Sequence, residues 1–141
     1  MKIRLTAPNA KDEHHLIDVK AFMKIVDHED FAERESTTIH NLFHENWFRG
    51  DQFLPPIFYL TEGVATFING RHRTLVLMNH LQQIPMALAG MDGYPVHSET
   101  PHNLSQKVLT DISIARLTGE EEFEFPDLPV EYLGFDLNLG K

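Results

Sequence analysis

Four consecutive residues, Gly70-Arg71-His72-Arg73, concentrate most of the chemistry that this sequence offers in one place. Two guanidinium groups and an imidazole within one turn suit an anion, because Arg meets a phosphate or a carboxylate through two parallel hydrogen bonds. Gly70 adds a stretch of backbone that a ligand can approach closely, since no Cβ stands in the way. If a helix starts here, its first N–H groups are unpaired and its end carries a partial positive charge, which favours the same ligand. The plain alternative is a solvated turn beside the Asn69-Gly70 corner, because short motifs of this kind also match by chance.

The elements that must position this turn surround it in the chain. Tyr59 to Ile68 places Thr61-Glu62-Gly63 between two short runs rich in Val, Phe, Thr and Ile, which predicts a β-hairpin. From Thr74 onward, Leu75, Leu77, Met78 and Leu81 predict a helix with one apolar face, ending near Gln82-Gln83 because Pro85 cannot continue it. Ile84 to Leu88 is then a strand. Upstream, Ile3 and Leu5 mark a short edge strand, and Leu16 to Asp27 has roughly helical spacing, although Leu16 to Val19 reads equally as a strand end. Thr37 to Phe48 is expected as a helix, capped at Ser36-Thr37-Thr38 and stopped by Gly50. Downstream, Met91 to Asn103 is rich in turn signals and Leu104 to Leu117 returns to helical spacing. Glu120 to Glu124 is an exposed acidic run, and Val130 to Leu139 alternates like a late strand or an extended tail.

A strand ending Ile68-Asn69-Gly70-Arg71-His72-Arg73, a helix, and then Ile84-Pro85-Met86-Ala87-Leu88 resembles the ParB/sulfiredoxin superfamily. Leu54-Pro55-Pro56-Ile57 is similar to that family's entry into the hairpin, so the resemblance covers about Leu54 to Gly90. It implies an α+β fold with a small mixed β-sheet and packed helices. It also implies that the turn, taken as Gly70, Arg71, His72, Arg73 and Thr74, binds the phosphates of ATP or another nucleoside triphosphate with Mg²⁺. Two departures narrow it. Sulfiredoxins carry their reactive cysteine where this chain has Arg71, and the chain has no cysteine, which excludes that redox chemistry. About fifty residues follow Gly90, so the DNA-binding and dimerisation domains of ParB proteins proper are not expected.

The 141 residues have the length of one domain with a real core, and residues 120–141 form its acidic, partly extended end. A net charge of −9 disfavours bulk nucleic-acid binding, which draws its affinity from Lys and Arg on phosphates. No apolar run reaches membrane-spanning length and no leader precedes the domain, so a cytoplasmic protein without membrane partners is expected. His40 and His44 share a face of the predicted Thr37 helix, next to Glu45, but two histidines without a third ligand do not make a metal site, and His14-His15 reads as a solvated pair. Glu33, Glu35, Glu45, Asp51 and Glu62 are the carboxylates considered as a base or Mg²⁺ ligand, and the sequence does not choose among them. Trp47 and Phe48 have the surface to stack a nucleobase, although aromatics at helical spacing more often fill a core.

The readings that follow are a nucleotide-binding NTPase or small phosphotransferase, a non-enzymatic module that recognises a nucleotide, nucleic acid or protein, and a nuclease, the last lowered by the acidic balance. Weak self-association would follow if the hairpin or first strand left an open sheet edge.

Overall fold

The computed structural model describes residues 1–8, 12–29, 42–89 and 102–131. They form an α+β fold of two mixed sheets, a parallel strand pair and few helices. The strands are β1 (Lys2–Leu5), β2 (Glu13–Asp18), β3 (Phe43–His44), β4 (Phe48–Arg49), β5 (Gln52–Phe53), β6 (Ile57–Thr61), β7 (Val64–Asn69), β8 (Gln83–Leu88), β9 (Ser113–Arg116), β10 (Phe123–Glu124) and β11 (Val130–Glu131). The helices are α1 (Val19–Phe22), α2 (Arg71–Met78) and α3 (His102–Ile112), with a single 3₁₀ turn at Glu45–Trp47. The larger sheet has the order β7-β6-β8-β2-β9, the smaller β10-β1-β5-β4, and β11 pairs with β3. Among the described residues, no helix is long and apolar enough to cross a membrane.

The hairpin forms as expected. Strands β6 and β7 pair in antiparallel register, and Glu62 (φ 52°) and Gly63 (φ 81°) make a two-residue turn with both φ positive, the geometry that follows the right-handed twist of the strands. Strand β8 then lies parallel to β6, pairing at Ala87 and Leu88. Pro85 stands before that ladder begins, so its missing N–H leaves no gap in it.

Several expectations are corrected. Helix α2 starts at Arg71, three residues before Thr74, and ends at Met78 rather than near Gln82-Gln83. It has no apolar face to speak of, because Arg73, Thr74, Leu75, Val76 and Leu77 are all buried. A helix enclosed on every side loses the period by which an amphipathic one is read. β1 is interior to its sheet, between β10 and β5, instead of an edge strand. The outer strand of the hairpin is also partly covered, since Ala65 N donates to Ile25 O and Asp27 N to Ala65 O. Leu16 to Asp27 resolves into the end of β2 and the short α1, whose first turn is capped by Asp18 accepting from Ala21 N at 2.9 Å.

The described part of the predicted Thr37–Phe48 helix is strand, 3₁₀ turn and strand, because Phe43 meets Trp47 and Phe53 edge-on and stacks on Phe125, and this packing draws the segment into extended geometry. Its first residues, with His40, Glu33 and Glu35, lie outside the described residues, as does the predicted Met91–Asn103 loop up to residue 101; His102 and Asn103, expected in that loop, already belong to α3. The predicted helix to Leu117 stops at Ile112, and Ser113–Arg116 becomes β9, which covers the outer side of β2. Pairing of an otherwise open edge outweighs the helical spacing here. The acidic run is exposed at Glu120, Glu122 and Glu124, while Phe123 and Phe125 tie it to the molecule.

Candidate functional site

The turn between β7 and α2 takes its shape from Gly70, the N-cap of α2. Its φ of 101° lies in the region that L side chains avoid. A Cβ added there would stand 2.6 Å from Pro56 Cα and 2.8 Å from Arg73 Nη2. The space beside Gly70 is therefore filled by Pro56 and by Arg73 itself. Gly70 serves close packing against the Leu54-Pro55-Pro56-Ile57 segment, not the close approach of a ligand to its backbone. Its carbonyl accepts from Thr74 N and from Thr74 Oγ1, both at 2.9 Å, so the buried Thr74 hydroxyl locks the first turn. As N-cap, Gly70 offers no side-chain acceptor to the first N–H groups of α2.

Two cavities flank this turn. One, of about 170 Å³, is lined by Trp47, Asn69, Gly70, Arg71, His72 and Arg73. The other, of about 150 Å³, is largely apolar and includes His14, Pro55, Ile57, Asn69, Arg73 and Ala87 in its lining. Arg73 and Asn69 belong to both. Of the residues expected at the site, Gly70, Arg71, His72 and Arg73 are brought together around the first cavity, and Thr74 supports them from behind. Arg71 leans back over β7, with its guanidinium 5.9 Å from the Phe67 ring centre and Nη2 donating to Phe67 O at 3.4 Å.

Arg73 is the unusual member. It is 6% exposed, its Nε has no hydrogen-bond partner, and no carboxylate pairs with it among the described residues. Burial pulls its pKa from 12.5 down to about 10. A buried guanidinium without an acid is costly, and such groups are ordinarily paired.

His14 was expected in a solvated pair and is instead buried in β2, 4% exposed, with Nδ1 unpartnered. Loss of hydration lowers its pKa below the ordinary histidine value; Asp12 and Glu121 oppose that and His15 adds to it. Asp12 also lines the second cavity. Asp12 did not stand out in the sequence, and His14-His15 shows there only as a polar pair; strand geometry sends the two histidines to opposite faces, and their burial follows from the place of β2 in mid-sheet.

Of the carboxylates singled out before, Glu45, Asp51 and Glu62 are exposed and line neither cavity. Trp47 is buried against Phe43 and reaches the first cavity, whereas Phe48 packs between Phe43 and Phe53. His44 packs edge-on to Trp47 at 4.8 Å, and among the described residues no three His, Cys, Asp or Glu side chains group as a metal site.

Compared with known proteins, the chain matches no family model, no curated protein and no solved structure.

Proposed function

We propose that this chain is a ParB/sulfiredoxin-like domain that binds the phosphates of a nucleoside triphosphate at the start of α2. The observation that carries the reading is Arg73, a buried cation facing two cavities with no acid paired to it among the described residues. A phosphate beside it would supply the missing charge and accept from its guanidinium, so the unfavourable term in the free domain becomes a favourable one in the complex. Arg71, His72 and the uncapped N–H groups of α2 lie on the same side, which suits the further charges of a polyphosphate.

Asp12 favours a second reading, NTP hydrolysis or phosphotransfer with Mg²⁺. Such chemistry rests on a metal ion held by a carboxylate next to the phosphates, and Asp12 is the carboxylate that lines a cavity shared with Arg73. One experiment separates the two. Nucleoside triphosphates and Mg²⁺ are added while thermal shift and phosphate release are followed together. A shift without release supports binding alone, and a shift with release that Asp12→Asn removes supports the enzyme. No shift with any nucleoside triphosphate would sink both.

A further inference from the structure

The register of the larger sheet sets four residues in a row across four strands. His14 on β2 pairs with Ala87 on β8, Ala87 with Ile57 on β6, and Ile57 with Asn69 on β7. All four line the largely apolar cavity, and Arg73 closes its far end from the first turn of α2. Strands lie about 4.8 Å apart, so the backbone positions of His14 and Asn69 are about 14 Å from one another. An isolated phosphate held by Arg73 is too small to fill that row. A cavity of about 150 Å³ has the size that takes a single six-membered ring.

We infer that the cavity receives the ring-bearing part of the ligand whose phosphates lie at Arg73, and that the imidazole of His14, which lines the cavity, hydrogen-bonds the polar edge of that ring. The inference rests on the proposed phosphate site and adds a specificity determinant to it. Three observations from the structure converge on it. Ile57, Ala87 and Pro55 give the cavity the apolar walls that suit a ring face. Among the described residues the buried Nδ1 of His14 has no partner, although buried polar atoms are normally satisfied. Asn69 and Arg73 belong to both cavities, so the two spaces meet at the residues that would hold the junction between ring and phosphates. The ring is either a nucleobase or a sugar, since both present donors and acceptors at an edge.

The test compares inorganic tripolyphosphate with ATP, CTP, GTP and UTP by calorimetry, on the wild-type chain, Arg73→Met and His14→Phe. The best nucleotide is expected to bind at least about tenfold more tightly than tripolyphosphate, the worth of roughly one good hydrogen bond. His14→Phe should remove that advantage and leave tripolyphosphate unchanged, whereas Arg73→Met should weaken both. Discrimination among the four nucleotides assigns the ring to the base, and equal preference for all four over tripolyphosphate assigns it to the sugar. In the wild type, NMR should show the His14 ring resonances moving with nucleotide and not with tripolyphosphate, a readout that does not depend on the variant folding. Equal affinity for all five ligands with unmoved His14 resonances overturns this inference and leaves the phosphate site standing. Failure of every ligand to bind overturns both.

Discussion

On one side of β2, His15 is buried with both ring nitrogens engaged, Nδ1 with Ser113 Oγ at 2.8 Å and Nε2 with Glu13 Oε1 at 3.0 Å. On the other side, one residue earlier, His14 is as deeply buried and its Nδ1 meets nothing. The same contrast extends to the cations. Arg116 stands 3.7 Å from the Glu13 carboxylate on the first side, whereas Arg73 lines the cavity on the second and pairs with no carboxylate among the described residues. A satisfied polar cluster fixes one strand against the next and asks for nothing more. Two unmatched groups, on elements far apart in sequence but lining one cavity, mark the side where a ligand would complete the structure.

The largest effect should come from the turn that builds the unmatched side. Gly70→Ala forces an L residue to φ 101° and drives its Cβ to 2.6 Å from Pro56 Cα, part of the backbone that cannot rotate away. Left-handed geometry and overpacking together predict a loss of roughly 2–5 kcal/mol in denaturant unfolding. An unchanged midpoint would mean that the turn relaxes freely and is no rigid platform for Arg73.

Arg73→Met sharpens the contrast because its sign is opposite. The fall of the Arg73 pKa from 12.5 to about 10 corresponds to a burial cost of about 3 kcal/mol at neutral pH, and methionine keeps most of the buried stem. Without ligand the variant should be more stable than the wild type, by up to about 3 kcal/mol, while nucleotide no longer raises its melting temperature. Destabilisation of the free domain by this change would show that Arg73 has an internal role and would break the comparison.

On the matched side, Ser113→Ala leaves the His15 Nδ1 buried without its partner, and should cost about 1–3 kcal/mol. It should leave nucleotide binding untouched, as measured by calorimetry. A loss of binding comparable to that of Arg73→Met would mean that the two sides of β2 act as one unit.

What could be read from the chain was local. The hairpin declares itself through Glu62-Gly63 between two β-rich runs, the strand after α2 through Ile84 to Leu88, and the strand-to-helix turn through Asn69-Gly70. What could not be read depends on contacts distant in sequence. β9 lies between Ile112 and Leu117, two residues of the helical spacing, and becomes a strand where β2 offers it an edge. The Phe43 to Phe53 region is drawn into short strands by aromatic packing that includes Phe125, more than seventy residues away. The burial of His14 follows only from the placement of β2 between β8 and β9, so a histidine pair that looks polar in sequence hides the most informative side chain after Arg73. Gly70 suits either a backbone with positive φ or the close approach of a ligand, and the chain alone does not choose between them; the φ of 101° and the packed Pro56 decide for backbone and packing.

The smallest effect is a pH dependence. Burial lowers the pKa of His14 below the ordinary value near 6.5, with His15 acting in the same sense and Asp12 and Glu121 partly opposing. A base whose pKa is depressed by folding binds its proton more weakly in the folded state than in the unfolded one. As pH falls through about 6.5, the unfolded chain takes up a proton that folded His14 still refuses, so stability declines until the lower folded pKa is reached. Above about 7 the contribution is constant. Melting temperatures measured from about pH 8 down to about pH 5 should therefore fall in the wild type, and less steeply in His14→Phe. An identical slope in the wild type and in His14→Phe would place the titration elsewhere and leave His14 equivalent to any other buried ring.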